Sequence, residues 1–96
     1  MPTVVYSARA LEQLERAFQL LRDQHPDAAP AAVTAIQSAI DNLAAHPLVG
    51  RRIAGEVREL VISYGRTGYV ALYRYVAEID TVFVLALRGQ KEAGYK

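Results

Sequence analysis

The sequence predicts an α+β fold with the element order β-α-α-β-β-β, which is a strand, a two-helix hairpin and an antiparallel meander. Residues 57–62, 69–76 and 81–88 are short runs rich in Val, Ile, Leu, Phe and Tyr, as is typical of strands. The connections 65–68 and 77–80 are short, and such turns join antiparallel neighbours. Apolar residues before the meander repeat with helical spacing instead.

The first strand and the first helix are predicted from the N-terminal residues. Thr3–Tyr6 is β-prone and is expected to supply the fourth strand of the sheet. Ser7 stands at the N-cap position of a helix that runs from Ala8 to about Gln24, because Pro26 disfavours helical geometry at the residue before it. The predicted buried stripe of this helix is Leu11, Leu14, Phe18 and Leu21.

A second helix is expected to start at Asp27, which would cap it, with Pro30 in its first turn. His46-Pro47 ends it, and its stripe is Val33, Ile36, Ile40 and Leu43. Two matching stripes joined by a short link predict an antiparallel αα-hairpin that covers one face of a roughly four-stranded sheet. Residues 48–56 are predicted to be a loop.

Composition limits the class of protein. A chain of 96 residues is one domain, residues 1–96, and 52% hydrophobic with 22% charged residues is typical of a globular protein. The sequence has no cysteine, which excludes disulfides, thiolate metal sites and a thiol nucleophile. It lacks a leader-like start and an apolar run of the roughly 18 residues that a membrane span needs. We therefore expect a cytoplasmic protein without a membrane partner.

Charge and aromatic residues are concentrated in the sheet half. Residues 1–46 carry a net charge of −2, and residues 47–96 carry +3 with six arginines and two lysines. Tyr69, Tyr73 and Tyr75 share one face of their strand. An open face with tyrosines and arginines would bind nucleic acid by stacking and phosphate contact, or an acidic or amphipathic peptide. A third interpretation is that the tyrosines border the core, and for each residue alone it is the favoured one.

The sequence lacks the motifs of common active sites. It has no Ser/His/acid arrangement, phosphate-binding glycine loop, paired active-site carboxylates or metal-ligand cluster, so we expect neither a metal nor a cofactor. Any chemistry must come from Arg, Lys and Tyr. Such a set suits RNA cleavage by the 2′-OH, in which cations stabilise the phosphorane and Lys or Tyr transfers protons.

Four segments together resemble the RelE/ParE family of bacterial type II toxins. They are residues 6–11 (YSARAL), 57–62 (VRELVI), 68–74 (GYVALYR) and 85–95 (LALRGQKEAGY). The resemblance covers nearly the full length and has the same element order as the predicted fold. It implies a small toxin of a plasmid- or chromosome-stabilising system, which a cognate antitoxin protein wraps and neutralises.

The resemblance leaves two targets open. The RelE branch of the family cleaves mRNA on the ribosome with basic residues and a tyrosine near the C-terminus, whereas the ParE branch poisons DNA gyrase. The family's alternating lysines on the first meander strand are not matched, since Leu60 and Ile62 follow Arg58, and Val70 stands at a position that is basic in the nuclease branch. These departures favour the gyrase hypothesis. A metal-independent, ribosome-dependent endoribonuclease and a non-toxic binding module are the alternatives.

Both hypotheses use much the same residues. As a nuclease, the chain would have Arg88 or Lys91 as the basic residue after the last strand and Tyr95 as the C-terminal tyrosine of the family. The catalytic candidates are then Arg58, Arg88, Lys91 and Tyr95. The candidate contacts to a target are Arg51, Arg52, Arg58, Arg66, Arg88, Lys91 and Tyr95.

Overall fold

The computed structural model describes residues 1–64 and 67–89, which form two layers, a five-stranded sheet and two helices packed on one of its faces. The predicted α+β order of strand, helical hairpin and meander is confirmed. The helices are α1 (Ala8–Gln24) and α2 (Ala29–Asp41), and the strands are β1 (Thr3–Tyr6), β2 (Arg51–Ala54), β3 (Val57–Tyr64), β4 (Thr67–Val76) and β5 (Thr81–Gly89).

The sheet has the order β1-β5-β4-β3-β2. The meander is antiparallel as predicted, whereas β1 returns from the N-terminus to pair in parallel with β5, with Val4 opposite Val82 and Tyr6 opposite Val84. β5 therefore lies between β1 and β4, an inner position that agrees with its two apolar faces. Leu85 is left out of the pairing with β4, because Tyr73 pairs with Val84 and Leu72 pairs with Ala86.

The prediction that residues 48–56 form a loop is wrong for Arg51–Ala54, which form the edge strand β2. Arg51 lies opposite Glu59 and Arg52 opposite Arg58 in an antiparallel pair with an irregularity before Ala54. All four residues of β2 are exposed, so its sequence carries no alternation of buried and exposed positions. Backbone pairing to β3 produces this strand, and hydrophobic periodicity could not reveal it.

The predicted start and end of α1 are confirmed, and one residue of its stripe is wrong. The Ser7 hydroxyl accepts the N–H of Ala10 at 3.0 Å, and the helix ends at Gln24. Leu14 and Leu21 are buried, but Leu11 is 52% exposed and Ala10 takes the core position. The buried face of the helix therefore includes Ala10 in place of Leu11, since Ala10, Leu14 and Leu21 are spaced at four and seven residues and share one face.

The second helix begins later than predicted. The N–H groups of Ala28 and Ala29 both donate to the carbonyl of His25 at 3.0 Å, so the chain completes a turn before α2 starts at Ala29. Asp27 therefore does not cap the helix, although Pro30 lies in the first turn as expected. In the predicted stripe, Ile36, Ile40 and Leu43 are buried and Val33 is half-buried. Leu43 lies in a 3-10 turn that follows the helix.

Candidate functional site

The tyrosines of β4 face the helices. Tyr73 is 0% and Tyr69 is 8% exposed, and half-buried Tyr75 packs against the same core. The interpretation that they form an open aromatic surface is wrong, and the interpretation that they border the core is confirmed. The odd-numbered residues of this part of β4 point to the helical layer, so stacking of bases on Tyr69 or Tyr73 would require the core to open.

The buried hydroxyl of Tyr73 has a backbone partner. It accepts the N–H of Gly50 at 2.8 Å, immediately before β2. A Cβ atom on Gly50 would lie 2.6 Å from Cε1 of Tyr73 and 2.7 Å from the carbonyl oxygen of Glu59. Glycine is therefore required here for the close approach of the chain to β3 and β4.

Arg58 is attached to the same segment. Its Nη1 donates to the carbonyl oxygen of Gly50 at 2.8 Å and to that of Leu48 at 3.1 Å. The side chain is half-buried and opposes Tyr73 across the β3–β4 pair. This predicted site residue thus holds the chain that leads into β2.

The other two arginines of the hairpin formed by β2 and β3 also have partners. Nη2 of Arg51 lies 2.6 Å from Oε1 of Glu59, and Nε of Arg52 donates to the carbonyl of Gly55 at 2.8 Å. The ion pair is asymmetric, since the side chain of Arg51 is 78% exposed and that of Glu59 only 13%. The structure therefore brings three predicted arginines to one hairpin, where each contacts a carboxylate or a carbonyl.

Arg88 lies elsewhere on the sheet. It is half-buried near the end of β5 and opposes Val70, whereas Arg58 opposes Tyr73, so alternation places the two arginines on opposite faces. Arg58 on β3 and Arg88 on β5 are separated by two strand spacings. Their partners on β4, Tyr73 and Val70, are three residues apart, so standard strand dimensions give a Cα separation of roughly 14 Å. The remaining candidates, Arg66, Lys91 and Tyr95, lie outside the described residues, and their roles stay predictions.

The sheet face away from the helices, here called the outer face, carries apolar residues beside charged ones. Val5 is 40% and Val61 is 53% exposed, and Leu72 and Phe83 are half-buried on the same face. The charge of Arg74 on this face is paired with Glu56 at 3.3 Å. The sequence contains an indication of this surface, since apolar residues occur on both faces of β3 and β4 and the helices cover only one of them. Such a surface suits contact with another protein.

A second surface lies where α1 meets the end of β5. A cleft of about 90 Å³ is lined by Gln13, Arg16, Ala17, Leu20, Leu87, Arg88 and Gly89. Oε1 of Gln13 accepts the backbone N–H of Leu87 at 2.8 Å. Arg16 lies outside the predicted stripe of α1, and only the tertiary structure brings this part of the helix beside β5.

Two tyrosine hydroxyls have raised pKa values. Burial raises the pKa of Tyr6 above its ordinary value of 10.0, and the carboxylate of Asp41 adds to the effect. The hydroxyl of Tyr75 donates to Oδ1 of Asp80 at 2.6 Å, and this bond is the main cause of its raised pKa. Both tyrosines therefore stay protonated at neutral pH.

In residues 1–64 and 67–89, no group of three or more His, Cys, Asp or Glu side chains could hold a metal ion. Neither α1 nor α2 is long and apolar enough to cross a membrane.

The fold and its surfaces define a class: a small two-layer α+β protein whose helices cover one sheet face and whose other face offers apolar area to a partner. The family model described as ParE toxin of type II toxin-antitoxin system, parDE, matches residues 4–94. The chain belongs to this family of type II toxins within the RelE/ParE superfamily.

Curated relatives agree with this assignment. Toxin RelE3 of Caulobacter vibrioides is 35% identical over 92 residues, which cover 96% of this chain and 98% of the relative. Toxin RelE1 of the same organism is 33% identical over 72 residues, covering 75% and 77%.

Solved structures share the fold. The chromosomal ParDE system from P. aeruginosa matches with a TM-score of 0.75 at 19% identity, over 93% of this chain and 96% of that chain. The E. coli RelBE toxin–antitoxin complex matches at 0.64 with 17% identity, over 96% and 99%. The RelBE2 complex from Mycobacterium tuberculosis matches at 0.63 with 26% identity, over 94% and 100%. The predicted RelE/ParE-like architecture is confirmed.

Proposed function

We propose that this chain inhibits bacterial growth by binding and poisoning DNA gyrase, and that an antitoxin protein encoded beside it neutralises it. Membership of the ParE toxin family supports the general role. The observation that carries the choice of a protein target is the exposed apolar area of the outer face, where Val5 and Val61 are exposed and Arg74 is paired with Glu56. Exposed apolar area with neutralised charge favours association with protein surfaces.

The arrangement of the arginines supports the same choice. A nuclease needs cations around one scissile phosphate, where they stabilise the charge that develops in the transition state. Arg51 and Arg58 contact Glu59 and the carbonyl of Gly50, and Arg88 lies on the other sheet face from Arg58. Phosphate binding by the β2–β3 hairpin would compete with these contacts.

The first experiment induces the chain alone in a bacterial cell and follows thymidine and methionine incorporation during the first minutes. We expect thymidine incorporation to fall first, with a rise in DNA-damage signalling. If methionine incorporation falls first, the target is the translation machinery and the gyrase proposal is wrong.

A pair of variants tests the outer face directly. Val61→Glu places a charge on this face, and Leu11→Glu makes the same change at a matched exposure on α1, since the two residues are 53% and 52% exposed. Inhibition of supercoiling by purified gyrase is expected to be lost in Val61→Glu and retained in Leu11→Glu. Retention in both variants would exclude the outer face as the contact.

A ribosome-dependent endoribonuclease is the second candidate, because both curated relatives carry the name RelE. It rests on Arg88 together with Lys91 and Tyr95. Lys91→Ala and Tyr95→Phe are then expected to abolish RNA cleavage on ribosomes while the far-ultraviolet circular dichroism stays unchanged. Cleavage retained in both variants would remove these residues from the mechanism.

A non-toxic binding module is the remaining alternative. It predicts that overexpression leaves the growth rate equal to that of a vector control. Growth arrest that co-expression of the neighbouring reading frame relieves would instead support the toxin–antitoxin proposal. We expect that frame to encode a small protein with an acidic C-terminal half, complementary to the basic half of this chain.

A further inference from the structure

We propose that the cleft between α1 and the end of β5 binds an acidic side chain of the antitoxin, with Arg16 as its main contact. This inference rests on the proposed function, because it takes an antitoxin as the partner. It assigns the contact to a surface that lies apart from the β2–β3 hairpin and its arginines.

The cleft arises from a difference in strand length. β1 ends at Tyr6 opposite Val84, whereas β5 continues to Gly89. Beyond this point α1 lies along the edge of β5, where Oε1 of Gln13 accepts the N–H of Leu87 at 2.8 Å. The cleft of about 90 Å³ lies beside this bond. The cleft is therefore built from a helix and a strand that a partly buried hydrogen bond holds together.

The charges that line the cleft are positive. Arg16 lines the cleft from α1, Arg88 is the other charged residue among those that line it, and no carboxylate of the described residues lines it. The ion pairs found among the described residues do not include Arg16. Glu12 and Glu15 adjoin Arg16 in a separate depression on α1. An entering carboxylate would meet a guanidinium that can bind it through two parallel hydrogen bonds.

The apolar part of the cleft selects the kind of occupant. Leu20 lines it and is 52% exposed, and Ala17 and Leu87 lie beside it. A peptide segment with an acidic and an apolar side chain close together would satisfy both parts. A nucleic acid would not, since the described residues that line the cleft include no aromatic side chain on which a base could stack.

The test compares two arginines of α1 that lose the same charge. Arg16→Gln removes the cleft residue, and Arg9→Gln is the control, because Arg9 is exposed on the same helix and does not line the cleft. The probe is the protein encoded by the adjacent reading frame, and its affinity is measured by titration calorimetry at low and high salt. We expect Arg16→Gln to weaken binding roughly tenfold and to reduce the salt dependence, with Arg9→Gln within about twofold of the wild type.

Two further variants separate the contributions of the positive charge, the planar shape of the guanidinium and the apolar contact to binding. Arg16→Lys keeps the charge but loses the planar fork, so an intermediate affinity is expected. Leu20→Ser is expected to weaken binding several-fold without a change in salt dependence. Equal thermal unfolding midpoints for all the variants would show that the losses of affinity do not come from unfolding.

The outcomes distinguish this inference from the proposed function. If the probe binds and Arg16→Gln has the affinity of Arg9→Gln, the cleft assignment is overturned and the antitoxin proposal stands. If the wild type neither binds the probe nor arrests growth, the proposed function itself fails. If Arg16→Gln weakens binding to a single-stranded RNA oligonucleotide but not to the probe, the anion is a phosphate and the peptide assignment is wrong.

Discussion

The hydroxyl of Tyr73 accepts the backbone N–H of Gly50 at 2.8 Å and thereby links the buried strand β4 to the entry of the exposed strand β2. Tyr73 is fully buried, so this bond satisfies a hydroxyl that would otherwise lack a partner inside the core. The carbonyl of Gly50 accepts from Arg58 at 2.8 Å. The position of the β2–β3 hairpin, and of its arginines, thus depends on a glycine in the core.

Gly50→Ala is expected to lower the free energy of unfolding by about 1–3 kcal/mol, because the new Cβ overlaps rigid atoms. These atoms are Cε1 of Tyr73 at 2.6 Å and the carbonyl oxygen of Glu59 at 2.7 Å. Urea unfolding measures the change. Gly55→Asn is the control, since Gly55 has φ +53° with open space around it, and asparagine tolerates that conformation. Equal midpoints for Gly50→Ala and the wild type would contradict the close contact.

Arg58→Gln is expected to destabilise the fold by about 1–2 kcal/mol, because the carbonyls of Leu48 and Gly50 lose a charged donor. Arg52→Gln should cost less than about 0.5 kcal/mol, since its contact with the Gly55 carbonyl lies in an exposed turn. Thermal or urea unfolding of both variants measures the difference. A toxicity loss in Arg58→Gln is evidence of target contact only if folded protein persists at the assay temperature.

Ser7 makes two hydrogen bonds through one hydroxyl, and their loss is expected to cost about 1–2 kcal/mol in Ser7→Ala. The hydroxyl accepts the N–H of Ala10 at 3.0 Å and donates to the carbonyl of Leu85 at 3.1 Å. Ser7→Thr keeps a hydroxyl that can make both hydrogen bonds. Ser7→Asp can still accept the N–H of Ala10 but cannot donate to the carbonyl of Leu85. We expect the order of stability Thr, Asp, Ala among the variants, measured by urea midpoints. An Asp variant as stable as the Thr variant would mean that the bond to Leu85 adds nothing.

Tyr6 is expected to make the fold sensitive to alkaline pH. Its pKa is raised above 10.0 in the folded state by burial and by Asp41, so the unfolded chain ionises first as the pH rises. Its contribution to stability is fully present below about pH 10 and is lost as the pH rises through the folded-state pKa. Urea midpoints measured from about pH 8 upward should fall less steeply for Tyr6→Phe than for the wild type. Parallel curves would contradict the raised pKa.

Much of the fold was predictable because it depends on neighbouring residues. Ser7 marks the start of α1, and the short connections 65–68 and 77–80 dictate an antiparallel meander. The strand β2 was not predictable, since exposed polar residues such as Arg51 and Arg52 carry no periodicity. The burial of Ala10 in place of Leu11 could not be predicted either, because both residues lie beside the stripe of Leu14 and Leu21 until the helix packs on the sheet.

The candidate site was less predictable than the fold. Arginine content and family resemblance identified Arg58 and Arg88, but their faces depend on strand register, which a shift of one residue reverses. Arg16 lies outside the predicted stripe of α1, so no local pattern marks it. Its place beside β5 follows from the end of β1 at Tyr6, a relation between segments at opposite ends of the chain.

The class of fold, the order of its elements apart from β2, and the family follow from local propensity, periodicity and residues in fixed order. Tertiary structure alone decided which side chains meet. It buried Tyr73 and engaged Arg58 with the Gly50 carbonyl, while it left Val61 exposed on the outer face. The physical reason is that backbone pairing and core packing fix distances between residues far apart in the chain, which no local pattern encodes.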